Sequence, residues 1–192
     1  MYWDIKEALS YNALFNFIIG NRGGGKTYGF KKWAVEDFIK TGRQFVYVRR
    51  YKTELTDFTK YFDDLKANGE FDGHELTIKG KKAFIDGKEA GFAIALTTGI
   101  TKKSTSFPRV NKMCYDEFML ERGNYRYLTD EVNKFLGLYD SVFRMRDGIL
   151  TGRACVRACA IWRVRTWSNL NTHLAHYVRT SNIPNFSSLS VF

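Results

Sequence analysis

At 192 residues the chain is long enough for one domain with a core that needs no disulfide or metal to hold it together. Its three cysteines, Cys114, Cys155 and Cys159, are too unevenly spaced for a disulfide framework, and no stretch approaches the ~20 apolar residues of a membrane span or resembles a secretory leader, so a soluble cytosolic protein is expected. The net charge of +10 favours a polyanionic partner, and it is unevenly laid down: residues 148–192 carry 5 arginines but no lysine and no acid, against 20 acids before them.

In chain order, Leu14 to Ile19 is a short apolar and aromatic run ending in glycine, which predicts a buried parallel strand. A glycine-rich loop follows at once. Phe30, Trp33, Ala34 and Phe38 then recur at helical spacing until Thr41-Gly42, where glycine suits a left-handed cap. Gln44 to Val48 predicts a second strand, which makes a βαβ unit. Residues 53–73 read as helical around Leu55, Phe58, Tyr61, Phe62 and Leu65. A β-meander is expected next, with turns at Lys79-Gly80-Lys81-Lys82 and Asp86-Gly87 and a third strand from Gly91 to Leu96. Thr97 to Arg109 is a polar, basic loop leading into a strand around Met113-Cys114-Tyr115, and Val132, Phe135, Leu136, Tyr139 and Phe143 mark one face of a helix that delivers Arg144 and Arg146. Ala154 to Trp162 could form one more strand of the sheet. Beyond Arg163 no single pattern holds, so residues 163–192 are expected to pack weakly.

Gly20-Asn21-Arg22-Gly23-Gly24-Gly25-Lys26-Thr27 is a complete phosphate-binding P-loop between a strand and a helix. Glycines let backbone N–H groups approach phosphates at a helix N-terminus; Lys26 adds a point charge, and Thr27 a hydroxyl for Mg2+. Asp116-Glu117 ends a strand, as a metal carboxylate followed by a water-activating one should. Two acids at a strand end are usually just solvated, and Lys112 interrupts the apolar run, so this pair gains its meaning from the loop upstream. The adjacent glutamate favours ATP hydrolysis over a GTP switch. Arg144, with Arg146 as a second candidate, could cap the last helix carbonyls or serve as an arginine finger on a neighbour's nucleotide. Lys102 and Lys103, beside hydroxyl residues, suit DNA phosphate contacts, and a solvated loop is the plain alternative. Cys155, Cys159, His173 and His176 have a finger-like spacing, but the histidines stand too close together for zinc to be expected.

These residues resemble the DNA-packaging ATPases of small podophages of the phi29 type. The likeness runs through Asn16-Phe17-Ile18-Ile19-Gly20, Gln44 to Lys52 with its Val48-Arg49-Arg50-Tyr51-Lys52 string, and His74-Glu75-Leu76. It continues in Phe84 to Lys88, Tyr115-Asp116-Glu117-Phe118 and Asp140 to Arg144, covers residues 10–147 nearly without gaps, and fades past Asp147. It implies an additional-strand, conserved-glutamate (ASCE, RecA-like) α/β fold with a mostly parallel central sheet flanked by helices, and a lid-like meander inserted at about residues 53–96. The ATPase domain would span residues 1–162; a following nuclease-like domain is expected in the family and is missing here, which suggests an excised domain or a shortened product. The resemblance further implies ATP and Mg2+ as ligands, Lys26 and Thr27 on the nucleotide, Asp116 on the metal, Glu117 as base, Arg144 as finger, Lys52 near the nucleotide and Lys103 in a DNA-gripping loop. As partners it implies double-stranded DNA, a homopentameric ring, the portal of a procapsid and a structural RNA, all in the host cytoplasm. Another nucleic-acid-remodelling ATPase, such as a helicase or recombination protein, is the alternative; a nucleotide-binding module with vestigial hydrolysis is disfavoured by Glu117 together with Arg144.

Overall fold

A computed structural model describes residues 4–10, 15–20, 23–99, 106–118, 126–143, 157–163 and 190–191, the last two segments as backbone. The fold is mixed α/β. Helix α1 (Ile5–Ser10) precedes β1 (Phe15–Gly20), α2 (Lys26–Thr41) and β2 (Gln44–Arg49). A 3-10 helix (Lys52–Lys60) and α3 (Asp63–Ala67) lead into β3 (Leu76–Lys79), β4 (Lys82–Ile85) and β5 (Lys88–Ala95). After α4 (Leu96–Gly99) come β6 (Val110–Asp116), α5 (Glu131–Val142), β7 (Arg157–Arg163) and β8 (Ser190–Val191).

All the strands join one sheet in the order β3-β4-β5-β2-β6-β7-β1-β8. β2 is parallel to both β5 and β6, and β7 is parallel to both β6 and β1, while β3, β4 and β5 pair antiparallel. Strand alternation sorts the side chains into two cores. Ile18, Phe45, Tyr47 and Cys114 face the layer of α1, α2, the 3-10 helix and α3. Phe17, Val46, Val48, Met113 and Tyr115 face α4 and α5.

Helix α2 stops where the sequence indicated: Gly42 is left-handed (φ 69°), and its N–H donates to Phe38 O at 2.7 Å. The Asp86-Gly87 turn has positive φ at both residues (50° and 72°), as a tight hairpin requires, and the Asp86 carboxylate accepts the Glu75 N–H at 2.8 Å.

Several expectations need correction. The meander is not a lid set apart from the core, because β5 runs in register with β2 from Phe45↔Gly91 to Arg49↔Ala95 and forms part of the central sheet. Its first two residues, Lys88 and Glu89, look like a surface hairpin, whereas Ala90, Gly91, Ala93 and Ala95 are buried small residues that a hydropathy pattern underrates. The helical reading of residues 53–73 resolves into the 3-10 helix and the short α3, and the stretch from Thr97 opens inside α4. Within the segment expected to pack weakly, Ser190 and Val191 pair with Ile18 and Ile19 of β1; residues 164–189 lie outside the described ones.

Lys112, which seemed to interrupt a core strand, is completely buried on the α2 side. There it forms an ion pair with Asp37, donates to Asn111 Oδ1 at 2.7 Å and stands 5.4 Å from the Trp33 ring centre. A buried ammonium persists in a strand only with such partners.

Candidate active site

Parallel strands place their C-terminal ends on one edge, and here that edge gathers Gly20 of β1, Arg49 of β2 and Asp116 of β6. The glycine-rich loop turns from β1 into α2 with Gly23 and Gly25 left-handed (φ 84° and 78°). A Cβ at Gly23 would meet nothing within 4 Å, so backbone conformation rather than crowding calls for glycine there. The turn closes with Gly29 N–H donating to Gly25 O at 2.7 Å, which starts α2 at Lys26.

Thr27 and Asp116, 89 positions apart, meet at this edge: the Thr27 hydroxyl lies 3.2 and 3.3 Å from the two carboxylate oxygens. The Tyr47 hydroxyl donates to Asp116 Oδ2 at 2.8 Å, and the Glu117 N–H donates to Oδ1 at 3.1 Å. Burial pushes the Asp116 carboxyl above its ordinary range, against the pull of Arg49, Tyr47 and Thr27. Burial also lowers the Lys26 ammonium, and Asp116 partly offsets it. Tyr47 is held well above a normal phenol by burial and by Asp116, so it remains a hydrogen-bond donor.

Glu117, the first residue beyond β6, is left-handed (φ 55°), and its side chain is the more exposed of the two acids. Arg49 holds it: Nη2 lies 2.7 Å from Glu117 Oε2 and 3.2 Å from Glu54 Oε1, and Nη1 lies 3.7 Å from Asp116 Oδ2. Glu54 is fixed in turn by the Tyr51 N–H at 2.6 Å. Burial would lower the Arg49 guanidinium, but Tyr47, Asp116, Glu117 and Glu54 together raise it, so it stays charged. The arrangement offers a hydroxyl and a carboxylate as hard oxygen donors for a small divalent cation that keeps part of its water shell, beside a buried lysine and a second carboxylate. Among the described residues no cluster of three or more His, Cys, Asp or Glu forms a further metal site.

Of the residues singled out by sequence, Gly20, Lys26, Thr27, Asp116 and Glu117 come together on this edge, with Gly23, Gly24 and Gly25 in the connecting turn. Lys52 is exposed at the start of the 3-10 helix. Asn21, Arg22, Lys102, Lys103, Arg144, Arg146, Cys155, His173 and His176 lie outside the described residues, and Cys159 is described only as a strand position. Sequence reasoning missed Tyr47, Arg49, Arg50, Glu54 and Glu131 as site residues. The available signal was two adjacent arginines at the very end of a strand, where solvent-facing charge would ordinarily alternate with apolar residues.

The model of the family described as Podovirus DNA encapsidation protein (Gp16) matches residues 1–163. The DNA packaging proteins of Bacillus phages PZA and phi29 are each 44% identical over 149 residues, which is 78% of this chain and 44% of theirs. That of Bacillus phage B103 is 47% identical over 139 residues, 72% of this chain and 43% of that one. The match thus spans under half the length of these relatives. The crystal structure of the N-terminal domain of the DNA packaging ATPase from bacteriophage phi29 superposes with a TM-score of 0.79 at 36% identity, over 99% of this chain and 94% of that domain. A chain of the phi29 viral genome packaging motor assembly gives a TM-score of 0.77 at 38% identity, over 96% of this chain and 52% of that one. Among the described residues no helix is long and apolar enough to cross a membrane.

Proposed function

From a chain that belongs to the Podovirus DNA encapsidation protein (Gp16) family, we propose an ATP-hydrolysing P-loop module of a motor that moves double-stranded viral DNA into a procapsid. The observation that carries this reading is the meeting of Thr27 with Asp116 at 3.2 Å, with Glu117 one residue on and held by Arg49. The strand order adds support. A strand, β7, separates the one that feeds the glycine loop from the one that ends in the carboxylates, as in additional-strand ATPases.

In this reading backbone N–H groups of residues 23–27 and the Lys26 ammonium hold the β- and γ-phosphates at the start of α2. Thr27 and Asp116 would hold Mg2+, which supplies charge neutralisation at the phosphates. Tyr47 keeps Asp116 oriented through its hydroxyl. Glu117 leaves Arg49 to orient the attacking water and take its proton, a step that needs the carboxylate free of its ion pair. Lys52 lies near the nucleotide, Arg144 (Arg146 as second candidate) reaches a neighbour's γ-phosphate, and Lys102 and Lys103 grip DNA phosphates. Residues 1–162 form the ATPase domain. The likeness to the phi29 motor assembly supports a ring, for which we propose five copies on the portal of a procapsid in the host cytoplasm, with a structural RNA as a further partner.

The test is ATP turnover with and without double-stranded DNA. Lys26→Ala should lose nucleotide binding. Glu117→Gln should bind ATP normally yet stop turning over, because Glu117 acts on the water only in the transition state. Normal turnover by Glu117→Gln would remove it as the base.

A further inference from the structure

Two neighbouring arginines divide one residue between them. Arg49 takes the Glu117 side chain on the α2 face of the sheet, while Arg50 takes the Glu117 backbone on the α5 face. Arg50 Nη1 donates to Glu117 O at 3.1 Å, and Nη2 donates to Phe118 O at 2.5 Å. The same guanidinium forks onto Glu131, the first residue of α5, with Nε to Oε2 at 2.8 Å and Nη2 to Oε1 at 2.9 Å. Glu131 accepts two further bonds, from the Tyr115 hydroxyl at 2.6 Å and from the Leu128 N–H at 2.8 Å.

Arg50 is 1% exposed and Glu131 6%. Arg50 lies beneath the Tyr127 ring at 5.1 Å, and Tyr115 stacks on Phe135 of α5 with ring centres 5.4 Å apart. Taken alone, a buried ion pair adds little stability over apolar residues of the same volume, so its presence needs another reason. The backbone supplies one. Glu117 sits at φ 55°, a left-handed conformation that a non-glycine residue seldom adopts and that persists only where surroundings over-determine it. Arg50 donates to the carbonyls of both 117 and 118, on either side of the peptide that follows this turn.

We propose that Arg50 and Glu131 form a positioning clamp, which holds the Glu117 backbone in its strained turn and fixes it to the start of α5. This rests on the reading of Glu117 as the base. Both residues are buried behind the strand end, so each acts through Glu117. The clamp makes the aim of the carboxylate depend on where α5 lies against the sheet, and α5 is the helix that leads to Arg144. Because a misplacement of about 1 Å can cost a hydrolytic group about 100-fold, the clamp acts on turnover rather than on affinity.

The test uses the full chain with saturating double-stranded DNA. Glu131→Gln and Arg50→Lys should each lower kcat about 100-fold and leave the Kd for ATP within about threefold, a split that a general loss of structure does not produce. Tyr115→Phe, which removes one of the four bonds on Glu131, should lower kcat about fivefold at unchanged Kd. A folded Glu131→Gln with kcat within about threefold of the parent overturns the clamp, as does a parallel fall in kcat and affinity. Should both severe variants fail to fold, Tyr115→Phe carries the test, and an unchanged kcat there overturns it. The parent and Glu117→Gln run alongside: normal turnover by Glu117→Gln refutes the base itself and the clamp falls with it. A dead Glu117→Gln beside an active clamp variant refutes the clamp alone.

Discussion

Replacing Gly91 with alanine tests whether the centre of the sheet is packed as described. Gly91 pairs with Phe45 across parallel strands, and a Cβ built on it would lie 2.6 to 2.7 Å from three carbons of the Phe45 ring. Ordinary contact begins near 3.4 Å, so the ring must recede by about 0.8 Å. It has nowhere to go. Phe45 is fully buried, stacked on Tyr61 with centroids 5.7 Å apart and met edge-on by Phe30 at 6.3 Å. Overpacking of this kind costs about 1–3 kcal/mol, and at ~2–4 °C per kcal/mol for a chain of this size the melting midpoint should fall by about 2–12 °C. Urea unfolding and calorimetry measure it. Phe45→Leu in the same chain opens the space, so the double variant should be more stable than the two single losses predict by about 1 kcal/mol or more. A Gly91→Ala protein within about 0.5 kcal/mol of the parent, or strict additivity, would refute the packing argument.

Lys112→Ala should cost about 3 kcal/mol in urea unfolding because it strands Asp37 half-buried, whereas Lys112→Met combined with Asp37→Leu should recover most of that loss; equal losses would mean that the pair itself stabilises the fold. Arg144→Ala protein mixed with Lys26→Ala protein should regain part of the ATPase activity that neither has alone, since shared interfaces join one intact finger to one intact loop. No recovery in mixtures that demonstrably form rings would place the finger elsewhere. Lys102→Ala with Lys103→Ala should weaken DNA binding evenly across sequences and flatten the slope of log K against log salt by about 2; an unchanged slope takes the loop out of the DNA path.

What could be read from the sequence was whatever is local. The glycine loop lies between a strand and a helix, Gly42 ends that helix, and Asp86-Gly87 makes its hairpin, because each depends on residues a few positions apart. Asp116-Glu117 could be placed only by borrowing meaning from the loop, and the contact that joins them spans 89 positions. The arginine pair was visible as a string but mute as chemistry: the carboxylates that give Arg49 and Arg50 their roles lie 68 and 81 positions downstream. Lys112 misled because burial of a charge depends on a partner, and Asp37 belongs to another element altogether. β5 misled for the opposite reason, since Gly91 is central by virtue of having no side chain where Phe45 needs room.

The place of β7 has a consequence for how the chain comes off the ribosome. Ala158 pairs with Phe15 on one side and with Met113 on the other, so β1 and β6 stand two strand spacings apart, about 9.6 Å, with a late-made strand between them. A nascent chain that has emerged as far as α5 already contains the glycine loop, both carboxylates and the arginine pair. It still lacks the strand that sets the loop at the right distance from them. If β1 and β6 zipped together directly, Thr27 and Asp116 would be misplaced by about one strand width, or ~4.8 Å. Long-range parallel pairing of this kind is slow to form and is completed after local structure. Pulse-labelled chains arrested at residue 143 should therefore fold their helices yet bind no ATP, and arrest beyond residue 163 should restore binding. On the proposed reading, the nucleotide site is completed only when this central strand is in place, so the order of synthesis itself delays the activity.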